Sequence, residues 1–84
     1  MNIFFYFTLN GVIKMASFCY SSRQQCIDAA IELFYIEAEN CNSTTFSGIE
    51  VHIMANEWAD YMLKLPYKDR HAWLIKKITS TLCA

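Results

Sequence analysis

Gly11, Gly48 and Pro66 are the only glycines and the only proline in this chain. They are the strongest punctuators of backbone structure available to it, so the chain must be built from a few long elements rather than many short ones.

The first mark falls inside Asn10-Gly11, the preferred pair for a two-residue type I′ turn, in which both positions need a positive φ. The flanks, residues 3–9 and 12–20, are rich in aromatic and β-branched side chains, which predicts two strands and a hairpin. An isolated hairpin is marginal in water, so its ring-laden alternate positions are expected to pack on the rest of the chain. Two other readings of residues 1–20 are weaker. A signal peptide would need a positive n-region, which is missing, and a membrane span is interrupted by Asn10, Gly11 and Lys14. Met15-Ala16-Ser17 also has the form of a natural start, which would make residues 1–14 an upstream extension.

Helix one is expected after Ser21-Ser22, either of which can cap a free backbone N–H. Ile27, Ile31, Phe34, Ala38 and Cys41 recur at helical spacing and form its expected apolar face, with Asp28, Glu32 and Glu39 alongside. Residues 40–46 lack a helical period and read as a loop. Around Gly48 two signals compete. Ile49, Val51 and Ile53 alternate with Glu50 and His52 as in a strand over 49–54. Against that, Ser47-Gly48-Ile49-Glu50 fits a capping box, with Phe46 and Val51 at the positions of its hydrophobic staple. Val51, Met54, Trp58, Tyr61, Met62 and Leu65 then sustain one helical face, so helix is assigned over roughly 48–64. Asp60 and Lys64, one turn apart, are expected to pair. Pro66 ends this helix, and a third runs over 68–82 with His71, Leu74, Ile75, Ile78 and Leu82 as its buried stripe.

The fold class implied is mainly α: a small three-helix bundle with an N-terminal β-hairpin, becoming α+β if 49–54 is a strand. No linker divides residues 1–84, which read as one small domain with 1–20 as hairpin or extension and 21–82 as the bundle.

The side chains offer little for catalysis. Cys19, Cys26, Cys41 and Cys83 contain no CxxC pair and no zinc-like Cys–His spacing, and the chain lacks the loop-rich look of a disulfide-stapled secreted scaffold. Free thiols in a reducing cytoplasm are expected, with Cys26 and Cys41 as small buried hydrophobes. Neither His52 nor His71 has a local nucleophile or metal partner, and His71 on an apolar stripe reads as structural. No phosphate loop can be built from two isolated glycines. The expectation is therefore a non-enzyme without metal or cofactor.

Surface chemistry carries more. The chain is 55% hydrophobic with 13 Phe, Tyr and Trp together (6, 5 and 2), more rings than so small a globule can hide, which suggests a partner or self-association patch. Charge is segregated: residues 21–60 hold seven acids against Arg23, and residues 61–84 hold five bases against Asp69. On helix three, Tyr67, Arg70, Trp73, Lys76 and Lys77 read as a second face opposite the apolar stripe. A tryptophan among cations there suits an anionic partner. The alternative use of Trp73 is to pack beneath the hairpin.

Two classes of partner follow. The favoured one is a larger protein or protein complex, or a second copy whose acidic helix one meets the basic helix three. In its inhibitor form an acidic face of Asp28, Glu32, Glu39, Glu57 and Asp60 would occupy a site built for nucleic acid, in the manner of small phage-encoded inhibitors of host complexes. The alternative function is a helix-turn-helix-like nucleic-acid-binding regulator using the basic helix, although its turn lacks the usual glycine and helix two is acidic. A cytoplasmic module that binds no membrane is expected.

Overall fold

A computed structural model describes residues 2–41 and 46–83 of the chain. Two strands, β1 (Ile3–Leu9) and β2 (Val12–Phe18), precede three helices, α1 (Arg23–Asn40), α2 (Gly48–Met62) and α3 (Tyr67–Leu82). The chain is mainly α with an N-terminal hairpin, as its sequence pattern predicts.

The hairpin closes on Asn10 and Gly11, at φ 53° and 76°, and the antiparallel ladder runs from Leu9 opposite Val12 to Ile3 opposite Phe18. Met15 is thus in mid-strand, opposite Tyr6. Strand alternation splits the side chains between two faces. Ile3, Phe5, Ala16 and Phe18 point inward and pack on the helical core. Phe4, Tyr6, Thr8, Ile13, Met15 and Ser17 occupy the opposite face and are all exposed.

Ser22 caps α1 in a full capping box: its Oγ accepts from the Gln25 backbone N–H at 3.1 Å, and Gln25 Oε1 accepts from the Ser22 N–H at 3.0 Å. The buried face of α1 is wider than the predicted stripe and centred elsewhere. Cys26, Ile27, Ala29, Ala30, Leu33, Phe34 and Ile36 are buried, whereas Ile31 and Ala38 are half-buried and Cys41 is exposed. The cause is position. The helix is the centre of the molecule, packed against α2, α3 and β1 at once, so a single stripe cannot describe what it buries. Cys41 is its C-cap, beyond the last covered turn.

Residues 49–54 are helical, so the capping signals prevail over the alternating pattern. Ser47 Oγ accepts from the Glu50 N–H at 3.2 Å, and Glu50 Oε1 accepts from the Ser47 N–H at 3.1 Å. Beside this cap, Phe46 meets Phe34 edge to face at 5.5 Å. Of the loop read over 40–46, residues 42–45 lie outside the described residues. Val51, Ala55, Trp58, Ala59 and Met62 are the buried face of α2, while Tyr61 is half exposed rather than part of the stripe. Asp60 pairs with Arg23 across the α1–α2 contact at 2.7 Å, not along the helix with Lys64 as expected. The tertiary partner offers a guanidinium in forked geometry, with Nη2 also reaching Asp60 at 3.4 Å.

The helix ends at Met62, and Pro66 is the N-cap of α3. Leu74 and Ile78 are buried, with His71, Ile75 and Leu82 half-buried around them. No helix among the described residues is long and apolar enough to cross a membrane.

Candidate functional site

The five residues singled out on α3 divide into two sets. Tyr67 and Arg70 turn inward and hold the fold. The non-helical link between β2 and α1 brings the backbone of Tyr20 into the interior, and such groups need partners. Tyr67 Oη accepts from the Tyr20 N–H at 3.1 Å and donates to Cys19 Sγ at 3.4 Å. Arg70 donates to the carbonyl oxygens of Tyr20 at 2.5 Å, Leu65 at 3.2 Å and Leu63 at 3.4 Å, while its guanidinium lies 5.5 Å from the Tyr67 ring centre. Arg70 thereby ties the α2–α3 turn to the link that precedes α1.

Trp73, Lys76 and Lys77 turn the other way. Trp73 is half-buried against the hydrophobic core, and its indole stacks on Tyr61 of α2, with ring centres 4.7 Å apart and planes 19° from parallel. Tyr61 is 50% exposed, so this stack forms part of the surface. Trp73, Lys76, Lys77 and Ser80 line a shallow recess of about 320 Å³. The ion pair found among the described residues is Arg23–Asp60, and neither lysine takes part in it. The recess is thus an aromatic floor with two exposed ammonium groups at its rim. Tyr61, stacked behind the Trp73 floor, belongs to the buried stripe in the sequence pattern and is half exposed in the fold. A helical step of about 100° per residue puts it at the edge of that stripe, about 100° from the centre of the Val51–Met62 face.

The acidic positions do not converge on one surface. Asp28, which accepts from Gln24 Nε2 at 2.9 Å, and Glu32 border a concavity beside Ser17, Phe18 and Cys19. Glu39 is exposed near the end of α1. Glu57 lies along an open groove on α2 with Ile49, His52, Ile53 and Asn56. Asp60 is held below the usual carboxylate range by its hydrogen bond to Arg23 and is already neutralised.

The remaining titratable groups are mostly structural. His71 Nδ1 lies 2.5 Å from Tyr20 Oη, and its ring is walled by Phe5, Phe18 and Tyr20 with centres 5.4–6.3 Å away. Burial pushes its pKa below the ordinary 6.5. Burial likewise raises the Tyr20 phenol, with Cys26 and Tyr67 adding to the effect. Cys26, buried, directs its thiol at the Tyr20 carbonyl, and burial raises its pKa. Cys19 differs: hydrogen bonds from Ser21, at 3.2 Å, and Tyr67 lower its pKa to about 7. Among the described residues no group of three or more His, Cys, Asp or Glu is placed to hold a metal.

Searches of known protein families, curated proteins and solved structures find no match to this chain.

Proposed function

We propose that this chain is a small non-enzymatic regulatory or inhibitor module that docks a larger protein through the Tyr61–Trp73–Lys76–Lys77 face. The observation that carries this reading is the stacked pair at the surface beside two exposed lysines. A stacked indole and phenol present a large, rigid apolar area at little further cost in side-chain entropy, the property that enriches Trp and Tyr at interface hot spots. The lysines add attraction for a partner carrying acids at the rim of an apolar segment. The scattering of Asp28, Glu32, Glu39, Glu57 and Asp60 favours this basic and aromatic face over an acidic one.

Trp73 reports on its own surroundings once Trp58, buried in the core, is replaced by Phe. Titrating that variant with a Glu-rich peptide bearing Phe and Leu side chains should shift Trp73 emission saturably, and more weakly at high salt. Adding Trp73→Ala and Lys77→Glu to the native chain should abolish binding of the labelled peptide and leave the helical circular dichroism intact. Binding of mixed-sequence duplex DNA or single-stranded RNA in place of the peptide would move the assignment to the nucleic-acid reading. Loss of the helical signal in the double variant would assign Trp73 to the core and remove the face altogether.

A further inference from the structure

The outer face of the hairpin is a second surface, separate from the α3 face. Phe4, Tyr6, Ile13 and Met15 are 61%, 68%, 76% and 53% exposed, and the face they share with Thr8 and Ser17 contains no charged side chain. Lys14 belongs to the opposite face, opposite Phe7. We propose that this face is the contact by which two copies of the chain associate, hairpin against hairpin.

Three features select a second copy. The first is shape. Across the ladder, Phe4 is opposite Ser17 and Thr8 is opposite Ile13, with Tyr6 opposite Met15 between them. A two-fold axis parallel to the strands lays β1 of one copy over β2 of the other. Phe4 then covers the partner's Ser17, Ile13 covers the partner's Thr8, and Tyr6 meets the partner's Met15. Large side chains fall on small ones at both ends, and a thioether meets a ring at the centre. A two-fold axis across the strands also sets large against small, with Phe4 over the partner's Thr8. The face is complementary to itself, as an isologous interface requires.

The second feature is area. With about 200 Å² for an aromatic side chain and somewhat less for Ile or Met, the four exposures leave about 500 Å² of apolar surface per copy. Two copies, with Thr8, Ser17 and the strand backbones included, come to the ~1,200 Å² at which stable interfaces begin. The third is the lack of charge. A face that lies on a lipid surface usually carries Lys or Arg around its apolar side chains, and a face for an acidic or basic partner carries the opposite sign. Here the strands carry neither on this face, and Asp28 and Glu32 approach it only at its Ser17 end, so the apolar centre meets its copy without repulsion or charge desolvation. Pairing would also form the two-layer sandwich that a lone two-stranded sheet lacks.

The test is light scattering and sedimentation of the full chain across micromolar concentrations, at low and high salt. The expected result is a dimer that persists at high salt. Ile13→Lys, and separately Thr8→Lys, should give monomers of unchanged helical signal, with the dimer dissociation constant raised at least about 100-fold because each inserts a charge into an apolar contact. Thr8 is polar and exposed already, so its variant keeps the test valid if Ile13→Lys fails to fold. Lys14→Ala, on the other face, should leave the dimer unchanged. A monomer throughout, a dimer that survives Thr8→Lys, or a dimer dissolved by salt would overturn the proposal. So would binding of the monomer to zwitterionic phosphatidylcholine vesicles through this face. None of these outcomes bears on the Trp73 face, whose variants leave the hairpin untouched.

Discussion

Tyr20→Phe isolates one of the bonds that anchor α3 to the segment entering α1. Tyr20 is fully buried, and Phe fills the same space, so the perturbation is the loss of one hydroxyl. That hydroxyl and His71 Nδ1 share a hydrogen bond of 2.5 Å. If the phenol donates, the imidazole is neutral and accepts through Nδ1. If the imidazole donated instead, the phenol proton would have no acceptor of its own inside the fold, a desolvation cost that the opposite arrangement avoids. The phenol is therefore the donor. Removing it leaves an imidazole nitrogen unpaired, at about 1–2 kcal/mol, the lower part of the range because half-buried His71 regains some water. For a chain of this size each kcal/mol moves the midpoint by about 4–8 °C, so Tm should fall by about 4–16 °C at pH 8. The deficit should shrink once the pH falls below the folded-state pKa that His71 has in the variant. Burial holds the folded-state pKa of His71 below 6.5, so the unfolded chain binds its proton more readily. This part of the stability is complete above pH 6.5 and is lost as pH falls from there toward the folded-state pKa, at no more than about 1.4 kcal/mol per pH unit. A donating phenol deepens that loss because it stabilises the neutral ring alone, and the variant escapes this component. Other groups that titrate between these pH values cancel in the comparison of wild type with variant. Thermal melts followed by circular dichroism measure both. An equal deficit at pH 8 and at a pH where the ring proton resonances show His71 protonated in the folded variant would refute the assigned direction of the bond, and no deficit at either would refute the bond.

Ser47→Ala should cost about 1 kcal/mol, because the Glu50 N–H loses its acceptor and the capping box its reciprocal partner, and urea titration should show a lower midpoint with an unchanged slope. At pH 7 iodoacetamide should alkylate Cys19 before Cys41 although Cys41 is the more exposed, since Cys19 titrates near 7 while desolvation and the neighbouring Cys83 raise Cys41. Peptide mapping by mass spectrometry gives the order of modification, and Tyr67→Phe should slow the reaction at Cys19 by removing one of the donors that stabilise its thiolate.

What could be read from the sequence is what is encoded locally. The Asn10-Gly11 turn, the Ser47–Glu50 box and the stop before Pro66 each depend on a few neighbouring residues, and each appears where the pattern puts it. The Ser22–Gln25 box is equally local, since Gln25 stands three residues after its serine. The burial of α1 is a different kind of fact. Its five-residue stripe assumed one covering neighbour, and three elements cover it, so Cys26, Ala29, Ala30, Leu33 and Ile36 are buried through contacts with partners distant in sequence. The expected Asp60–Lys64 pair failed for the same reason, since Arg23 is distant along the chain and close in space.

On α3 the same distinction separates support from recognition. With a step of about 100° per residue, Tyr67 and Arg70 fall within about 40° of Leu74, inside the arc the helix buries, whereas Trp73 and Lys76 fall at about 100° and 160°. Lys77, at about 60°, borders the buried arc and is exposed, so the angle alone separates Tyr67 and Arg70 from Trp73 and Lys76. The inward pair is also the one the backbone needs: the Tyr20 N–H and C=O enter the interior without a ladder or helix to satisfy them, and Tyr67 and Arg70 supply a hydroxyl and a guanidinium in the first turn of α3. Trp73, Lys76 and Lys77 lie one to three turns further along. There Trp73 rests on Tyr61, and the lysine side chains are exposed. Replacing either inward residue would loosen the fold and thereby mimic a loss of binding. Lys76 and Lys77 are exposed while Trp73 also packs on the core, so the lysine variants separate recognition from stability and are the ones on which a partner should first be tested.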